Sequence, residues 1–308
     1  MTKLRLAIAG FGKIATTRHV PAIAEVPDVE LVAIADPVAK SPDVPNFASL
    51  DALLRDGPEI DAVTLCTPPQ VRSAQARLAL EARKHVMLEK PPGATVSEIA
   101  PLLAVAQGAR KSLFATWHSR FAPAVEPARE LLATRSIKSV TIIWKEDVRV
   151  WHPGQDWIFA AGGFGVFDPG INALSILTRI LPKPVFVSGA ELGFPANREA
   201  PIVVKMDMAD ASGLPIKVEL DFRQTGPQTW DIRIETDRGP LVLSGGGARM
   251  SDGDRSVVDA MKEEYPALYR RFVDLAAKGE CDVDLAPLQI VADAFLLGRR
   301  RTVEAFEF

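Results

Sequence analysis

Short apolar runs separated by helix-compatible stretches mark the first third of the chain. Five runs have the length and apolar content of buried strands: residues 4–9, 29–35, 62–66, 85–88 and 113–116. Four stretches that alternate with them suit helices: residues 20–24, 49–55, 71–81 and 96–107. Strands that alternate with helices are typical of βαβ units, so this part of the chain predicts a parallel, doubly wound sheet.

The pattern changes after about residue 120. Six further runs have strand character: residues 140–144, 185–191, 202–207, 216–223, 230–236 and 240–244. Residues 217–222 alternate apolar and polar side chains, which indicates an antiparallel sheet with one covered face. Helical patterns occupy residues 120–133, 165–181, 265–278 and 287–300.

These patterns predict an α/β protein of two domains, for which a length of 308 residues is suitable. We expect residues 1–119 to form an N-terminal Rossmann domain with a doubly wound parallel sheet. We expect residues 120–308 to form a C-terminal α+β domain with an open, mainly antiparallel sheet. The last helical pattern, residues 287–300, is expected to pack back on the Rossmann domain.

Composition and charge exclude several classes of partner. The net charge of −3 argues against a nucleic-acid-binding or membrane-surface protein, and the basic run 299–301 is interpreted as a solvated helix end. The two cysteines, Cys66 and Cys281, have neither disulfide-framework nor zinc spacing, so no metal site is predicted. No signal-peptide pattern and no apolar stretch of membrane-spanning length is found, so a cytoplasmic protein is expected.

A glycine-rich turn follows the first strand. Gly10, Gly12 and Ala15 form a G-x-G-x-x-A pattern at the start of a helical stretch. In a dinucleotide-binding turn the first glycine permits the tight turn, and the second lets a pyrophosphate approach the backbone. Alone, the motif also fits an ordinary turn. Asp36 ends the second strand about twenty residues later, where an acid binds the ribose 2′-hydroxyl, so the two features together predict an NAD site.

Other residues are expected at the same cofactor. Lys13 and Ile14 begin the helix whose N-terminus stabilises the pyrophosphate charge, and Thr67 and Pro68 follow the third strand at its carboxyl end. Pro37 follows Asp36, so no arginine stands there to bind a 2′-phosphate, and NAD should be preferred over NADP. Lys40 is close enough to weaken this preference, so we expect NADP to be accepted as well.

The tripeptide Glu89-Lys90-Pro91 follows the fourth strand and therefore also lies at a carboxyl end of the sheet. We expect Glu89 and Lys90 to border the cofactor. An amine near a cationic nicotinamide, and partly removed from water, loses its proton more readily and can act as a general base. The spacing alone also fits a surface lysine in a βα turn.

A second cluster lies in the C-terminal half. Asp168 and Asn172 are four residues apart, so a helix that starts here places both on one face. Both side chains are short and polar and can bind sugar hydroxyls or a catalytic lysine. The alternative is that Asp168 caps the helix and Asn172 satisfies a backbone group.

These motifs, in this order, resemble the Gfo/Idh/MocA oxidoreductase family. That family has an N-terminal Rossmann domain, an E-K-P tripeptide and a C-terminal α/β domain with an open antiparallel sheet. Its second domain carries glycines and then Asp-x-Gly-x-His on a helix; this chain has Gly162-Gly163, Asp168, Gly170 and, where the family has histidine, Asn172. The resemblance implies catalytic roles for Lys90 and Asp168. Without the histidine, Lys90 supported by Asp168 is the favoured base, although either residue is a candidate proton acceptor.

Longer strings, among them HVMLEKPPGAT, WKEDVRVWHPGQDWI and GVFDPGINALSI, resemble the bacterial aldose 1-dehydrogenases of this family, which also have the asparagine. The resemblance implies that His118 lies near the sugar or the nicotinamide. It further implies that Glu146 accepts hydrogen bonds from sugar hydroxyls and that Trp151 and Trp230 stack on the pyranose ring. The alternative is that the tryptophans are core residues and that Glu146 is a surface charge.

The implied activity is oxidation of the anomeric carbon of a cyclic aldose of the D-galactose, L-arabinose or D-fucose type to the aldonolactone, with hydride transfer to NAD(P). Two alternatives stay open: a dehydrogenase of a cyclic polyol such as inositol, and a non-catalytic regulator that senses a nucleotide. The resemblance implies a small-molecule sugar as partner, and it leaves open a homo-oligomer formed through the C-terminal sheet.

Overall fold

The apolar runs of the first third of the chain form a parallel sheet. The computed structural model describes residues 3–261 and 263–308, and in this part of the chain the sheet has six strands. Their bounds are β1 Leu4–Ala9, β2 Val29–Ala35, β3 Asn46–Phe47, β4 Ala62–Leu65, β5 His85–Leu88 and β6 Leu113–Ala115. The spatial order β3-β2-β1-β4-β5-β6 reverses direction beside β1. Open α/β sheets bind ligands at such a reversal, at the carboxyl ends of the strands.

Burial explains why these strands were predictable. Every residue of β4 and β5 is buried, as expected for parallel strands that are covered on both faces. The helices that alternate with the strands are α1 Val20–Glu25, α2 Leu50–Asp56, α3 Pro69–Glu81 and α4 Ala100–Ala109. Ser49 caps α2 by accepting a hydrogen bond from the amide of Ala52 at 3.1 Å.

A π-helical turn, Ala15–His19, precedes α1. Its last bond runs from the amide of Val20 to the carbonyl of Ala15, five residues back. Pro21 follows and has no amide hydrogen to continue the regular ladder. His19, the last residue of this turn, is completely buried. Single π turns of this kind occur mostly within or beside α-helices, often at functional sites.

A second sheet occupies the C-terminal part and is mixed but mainly antiparallel. Its order is β14-β13-β12-β11-β7-β10-β9-β8-β15, where only the β10–β7 and β15–β8 pairs are parallel among the described strands. The strands are β7 Ile137–Lys145, β8 Val185–Pro195, β9 Val203–Asp210, β10 Ile216–Asp221, β11 Thr229–Thr236, β12 Gly239–Ser244, β13 Arg249–Asp252, β14 Arg255–Asp259 and β15 Arg299–Val303. The helices are α5 Val125–Leu132, α6 Val148–Trp151, α7 Phe167–Ile180, α8 Glu264–Lys278 and α9 Ala286–Leu297. The predicted fold class is confirmed.

Contacts divide the chain into two compact units. The first unit comprises the described residues up to His118 together with Glu264–Asp284, and the second comprises Ser119–Glu263 and Leu285–Phe308. The segment that returns to the first unit therefore carries α8. The sequence pattern predicts that residues 287–300 pack back on the Rossmann domain. In the structure, α9 packs on α7 and β8 and belongs to the second unit.

The end of the chain also differs from its predicted structure. The helix ends at Leu297, and Arg299–Val303 continues as β15, paired with β8. The basic run 299–301 is thus an exposed edge strand and not a helix end. Charged side chains on an edge strand hinder pairing with other chains, which fits the position of this run.

Among the residues that the structure describes, none of the helices has both the length and the apolar character that crossing a membrane requires.

Helix α7 lies so close to its sheet that one glycine is required. A Cβ atom on Gly170 would lie 2.5 Å from Cδ1 of Leu220, which is fully buried in β10. A substitution there must displace a packed side chain. By contrast, a Cβ on Gly108, in α4, would meet nothing within 4 Å.

We expect Gly170→Ala to destabilise the protein by about 1–3 kcal/mol because it overpacks the contact between α7 and β10. Gly108→Ala is the matched control and should leave the melting temperature unchanged or raise it, since alanine favours a helix. Thermal denaturation of both variants by circular dichroism makes the comparison. Equal melting temperatures for the two variants would contradict the tight contact.

Candidate active site

The glycine turn has the geometry of a dinucleotide site. Gly10 has a φ of +85°, and a Cβ atom there would lie 2.7 Å from the amide nitrogen of Thr67, so only glycine fits. A Cβ on Gly12 would meet nothing within 4 Å, which leaves room for a ligand to approach the backbone. Lys13 is exposed beside it, Ile14 is half-buried, and the helical segment starts at these two residues.

Asp36 lies at the carboxyl end of β2, next to this turn. One carboxylate oxygen accepts a hydrogen bond from the amide of Phe11 at 2.8 Å, and the other accepts from the amides of Val38 and Ala39 at 2.9 and 2.7 Å. Burial opposes ionisation, but these amides and Lys40 hold the pKa of Asp36 below its usual value. The glycine turn therefore faces a fixed negative charge. The open space over Gly12, the helix start and this acid together fit a bound NAD.

Thr67 and Pro68 follow β4 at its carboxyl end. Thr67 is half-buried, and its hydroxyl donates to Oε1 of Gln75 at 2.6 Å. Pro68 is exposed and occupies the N-cap of α3, whose first residue, Pro69, has the fixed φ that suits a helix start. Thr67 borders the glycine turn through the close approach of its amide nitrogen to Gly10.

Lys90 follows β5 in a turn whose backbone is held tightly. The side chain of Lys90 is half-buried. The guanidinium of Arg72, which is 3 % exposed, donates hydrogen bonds to the carbonyl oxygens of Thr67, Glu89 and Pro91. These carbonyls follow β4 and β5, so one side chain ties the turn after β4 to the turn that contains Lys90.

Glu89 faces the interior of the first unit. It is 3 % exposed, and its Oε1 accepts a hydrogen bond from the hydroxyl of Tyr265 at 2.8 Å and lies 3.3 Å from Nε2 of His19. Its Oε2 accepts from the amide of Lys90 at 2.6 Å. Burial alone would raise the pKa of Glu89, but the hydrogen bond and charge of His19, with His118 and Lys90, lower it to about 2. Its carboxylate is therefore engaged within the unit, and its place beside the cofactor stays a prediction.

His118 follows β6 in a short 3₁₀ turn, His118–Phe121. Its Nδ1 lies 2.8 Å from Oε2 of Glu264, and its ring stacks on Tyr265 with centroids 5.3 Å apart. Both partners belong to α8. The helix that returns to the first unit thus supplies partners to Glu89 and to His118.

In the second unit, Glu146 and Trp230 form a pair. Glu146 follows β7 and is 5 % exposed, so it is not a surface charge. Its Oε2 accepts a hydrogen bond from the indole nitrogen of Trp230 at 2.8 Å. Trp230 lies in β11, opposite Trp144, and the two rings are 6.1 Å apart.

Trp151 extends this aromatic group. Its ring centroid lies 5.5 Å from that of Trp230, and both rings are half-buried, unlike the buried Trp144. Oε1 of Gln228 accepts hydrogen bonds from the indole of Trp151 at 3.4 Å and from the amide of Asp147 at 3.0 Å. Gln228 therefore connects α6 to the end of β7 and orients Trp151.

Asp168 is the second residue of α7 and is 4 % exposed. Its Oδ2 lies 3.4 Å from Nε2 of His152, whose Nδ1 faces Oε1 of Gln155 at 3.3 Å. The residue at the N-cap of the helix is Val166, so Asp168 does not have the capping role. Asn172 lies one turn further on the same face and is half-buried between fully buried neighbours.

In the second unit, contacts therefore join Glu146 to Trp230 and Trp230 to Trp151, and His152, the next residue in the chain, contacts Asp168. The sequence did not single out His152, Gln228 or Glu264. His152 directly follows Trp151 in the string VWHPGQDW, where a histidine beside a turn was the available signal. Across the described residues, no three His, Cys, Asp or Glu side chains are placed to hold a metal ion.

Comparisons with known proteins agree with this geometry. Residues 4–116 match the family described as "Oxidoreductase family, NAD-binding Rossmann fold" (GFO_IDH_MocA). Galactose 1-dehydrogenase of Pseudomonas fluorescens is 47% identical over 307 residues, which cover 99% of each chain.

Solved structures show the same fold. The crystal structure of a D-galactose-1-dehydrogenase from Rhizobium etli is 55% identical, with a TM-score of 0.95 over 100% of this chain and 99% of that one. A 3-ketoreductase from Actinomadura kijaniata, at 19% identity and a TM-score of 0.85, covers 98% of this chain and 100% of its own, and shares the fold alone. With near-complete coverage by a relative at this identity and its glycine turn in place, the chain belongs to the Gfo/Idh/MocA family of NAD-binding oxidoreductases.

Proposed function

We propose that this oxidoreductase is an aldose 1-dehydrogenase that oxidises D-galactose at C1 to the aldonolactone with NAD. The observation that carries the proposal is the cluster of the second unit, in which two buried carboxylates, Glu146 and Asp168, accompany the half-buried rings of Trp151 and Trp230. Carboxylates accept hydrogen bonds from hydroxyl groups, and aromatic faces stack on the apolar face of a pyranose. The relatives named galactose 1-dehydrogenase support the choice of sugar.

The first unit is the proposed NAD domain and the second the proposed sugar domain. Gly10 and Gly12 would hold the pyrophosphate, Lys13 and Ile14 the helix start next to it, and Asp36 the ribose hydroxyls. When bound, NAD supplies the hydride acceptor. Lys90 removes the proton from the anomeric hydroxyl oxygen, and Asp168 is the alternative acceptor of that proton.

The sugar-binding groups account for the expected range of substrates. Glu146 is fixed by Trp230, so it presents an oriented acceptor to a ring hydroxyl. Asn172 can donate and accept at once, which suits a hydroxyl group. D-Galactopyranose and L-arabinopyranose have the same configuration at C2, C3 and C4 and differ in the hydroxymethyl group at C5. A pocket that binds the shared hydroxyls accepts both sugars, and D-fucose, with a modest preference.

The cytoplasm is the proposed location, and a homo-oligomer through the C-terminal sheet is the proposed assembly. Both cysteines, Cys66 and Cys281, are free thiols, which suits a reducing compartment.

The assay that tests the proposal mixes the protein with NAD and a panel of sugars and polyols and follows absorbance of the reduced nicotinamide. Turnover with D-galactose, L-arabinose and D-fucose, and little with the C4 epimer D-glucose or with inositol, is expected. Turnover confined to inositol would identify a polyol dehydrogenase. Tight NAD binding without turnover of any compound would identify a regulator.

Asp36 should make NAD the better cofactor, because its ionised carboxylate repels a 2′-phosphate. Asp36→Asn keeps an acceptor but loses the charge, so the ratio of kcat/KM for NADP to that for NAD should rise by about 10-fold. Asp43→Asn, in the loop after β2, is the control with the same change in net charge and should leave the ratio unchanged. A wild-type preference for NADP would contradict this placement of Asp36.

Lys90→Met should lower kcat by about 10²-fold or more, because methionine keeps the length of the side chain but cannot accept a proton. The dissociation constant of NAD, measured by fluorescence titration, should stay within a factor of about 2. Lys84→Met, just before β5 at the opposite end of the strand, serves as control and should behave as the wild type. If Lys90→Met keeps kcat at every pH, the base is Asp168.

Asn172→Ala should raise KM for the sugar, because the truncation leaves a bound hydroxyl unpaired, at a cost of about 1–3 kcal/mol of transition-state binding. The pH–rate profile should keep its shape, since an amide does not titrate. Initial rates across pH measure both quantities. A displaced pH profile would mean that Asn172 acts on the base, and unchanged kinetics would place it outside the sugar site.

A further inference from the structure

A buried group of side chains in the first unit surrounds Glu89, the residue before Lys90. His19 is fully buried in the π turn, and its Nε2 and Nδ1 lie 3.3 Å from Oε1 of Glu89 and 2.7 Å from the hydroxyl of Tyr269. Tyr265 donates its hydroxyl to the same oxygen of Glu89, and its ring meets His19 edge-on with centroids 4.9 Å apart. These contacts hold the carboxylate from the π turn on one side and from α8 on the other.

The charges of this group are coupled. Burial alone would lower the pKa of His19, but Cys66, Tyr269 and Glu89 raise it well above 6.5. An imidazolium beside an ionised Glu89 forms a buried ion pair, and loss of one partner leaves the other charge uncompensated. Other titratable or charged groups that act on the pair from neighbouring elements are Cys66, Lys90, His118 and Tyr269, and Glu264 acts on Tyr265.

The fixed carboxylate acts directly on the turn of the proposed base. Oε2 of Glu89 accepts the amide hydrogen of Lys90 at 2.6 Å, while Arg72 binds the carbonyl oxygens of Glu89 and Pro91. Hydrogen bonds with the side chains of Glu89 and Arg72 thus hold the backbone on both sides of Lys90. An amine that must meet one hydroxyl proton requires this placement, because a displacement of about 1 Å can cost about 10²-fold in rate.

We propose that His19 and Tyr265 are positioning residues, which fix the Glu89 carboxylate and through it the backbone that presents Lys90. The expected effect on kcat rests on the proposed function of Lys90 as the base. The placement of the Lys90 amine can be measured without activity. It assigns a function to α8, a helix that lies outside the first third of the chain and carries neither the glycine turn nor the E-K-P tripeptide.

Tyr265→Phe is the first test, and Ser112→Ala is its matched control. The hydroxyl of Ser112, also fully buried, donates to the carbonyl of Leu275 in α8 at 2.8 Å. Each variant therefore removes one hydroxyl hydrogen bond between α8 and the rest of the first unit, but only Tyr265 contacts Glu89. We expect similar decreases in melting temperature. We expect kcat to fall by about 10-fold or more in Tyr265→Phe alone, with the KM for galactose and the dissociation constant of NAD nearly unchanged.

His19→Gln is the second variant, and amine labelling is the readout that needs no activity. Limited reaction with an acylating reagent, followed by peptide mass spectrometry, gives the labelling rate of Lys90 relative to that of Lys84 in the same sample. A loosened turn exposes Lys90, so this ratio should rise by about threefold or more in Tyr265→Phe and His19→Gln and stay constant in Ser112→Ala. At least one of the two variants must fold, as judged by its melting transition.

The outcomes separate the two proposals. If the labelling ratio of both variants matches that of Ser112→Ala, the positioning proposal is overturned, whatever Lys90→Met shows. If the ratio rises but Lys90→Met keeps its kcat, the positioning of Lys90 stands and the assignment of Lys90 as base fails. A fall in kcat of Ser112→Ala equal to that of Tyr265→Phe would reduce the role of Tyr265 to general stability and overturn the proposal as well.

Discussion

A buried negative charge organises the first unit. An ionised carboxylate in the interior is stable only when it is paired and hydrogen-bonded, and Glu89 is 3 % exposed. The groups that satisfy it are distant in sequence: His19 lies 70 residues before it, and Tyr265 lies 176 residues after it. This requirement gives a physical reason for the return of residues 264–284 to a unit that is otherwise complete at His118. The same pairing orders the turn that follows, because the Lys90 amide binds the same carboxylate.

The second unit holds its acids in a comparable way. Glu146 accepts from the indole of Trp230, and Asp168 lies against the imidazole of His152, so each buried carboxylate has an aromatic nitrogen as partner. An indole donates a hydrogen bond without carrying charge, and so it orients Glu146 without neutralising it. The carboxylate therefore keeps its capacity as an acceptor. That property suits the recognition of hydroxyl groups better than a full ion pair with a guanidinium would.

The sequence predicted those strands whose limits a local pattern of apolar residues determines. β1, β2 and β5 begin and end at the predicted residues, because strands of a parallel sheet are mainly apolar runs, although β1 contains Arg5 and β2 contains Glu30. Short or polar strands gave no such signal. Asn46–Phe47 has two residues, and Arg299–Val303 is an exposed edge whose three arginines suited a solvated helix end equally well. The edge strand is formed by pairing with β8, a partner that no window of the sequence around it contains.

The residues of the candidate site also differ in whether a local sequence pattern indicates them. Spacing predicted the residues that we propose to meet a ligand: the glycines before a helix, Asp36 at a strand end, Lys90 in its tripeptide. It did not locate those that hold them, since Arg72, His19 and Gln228 act through contacts that exist only in the folded chain. Asn172, at the position where the family motif has histidine, is an example. Position 172 holds an amide, yet Asp168 has an imidazole within 3.4 Å, supplied by His152 from the segment after α6. An imidazole thus lies beside Asp168 although position 172 holds an amide, because proximity in the fold and not position in a motif decides which side chains meet.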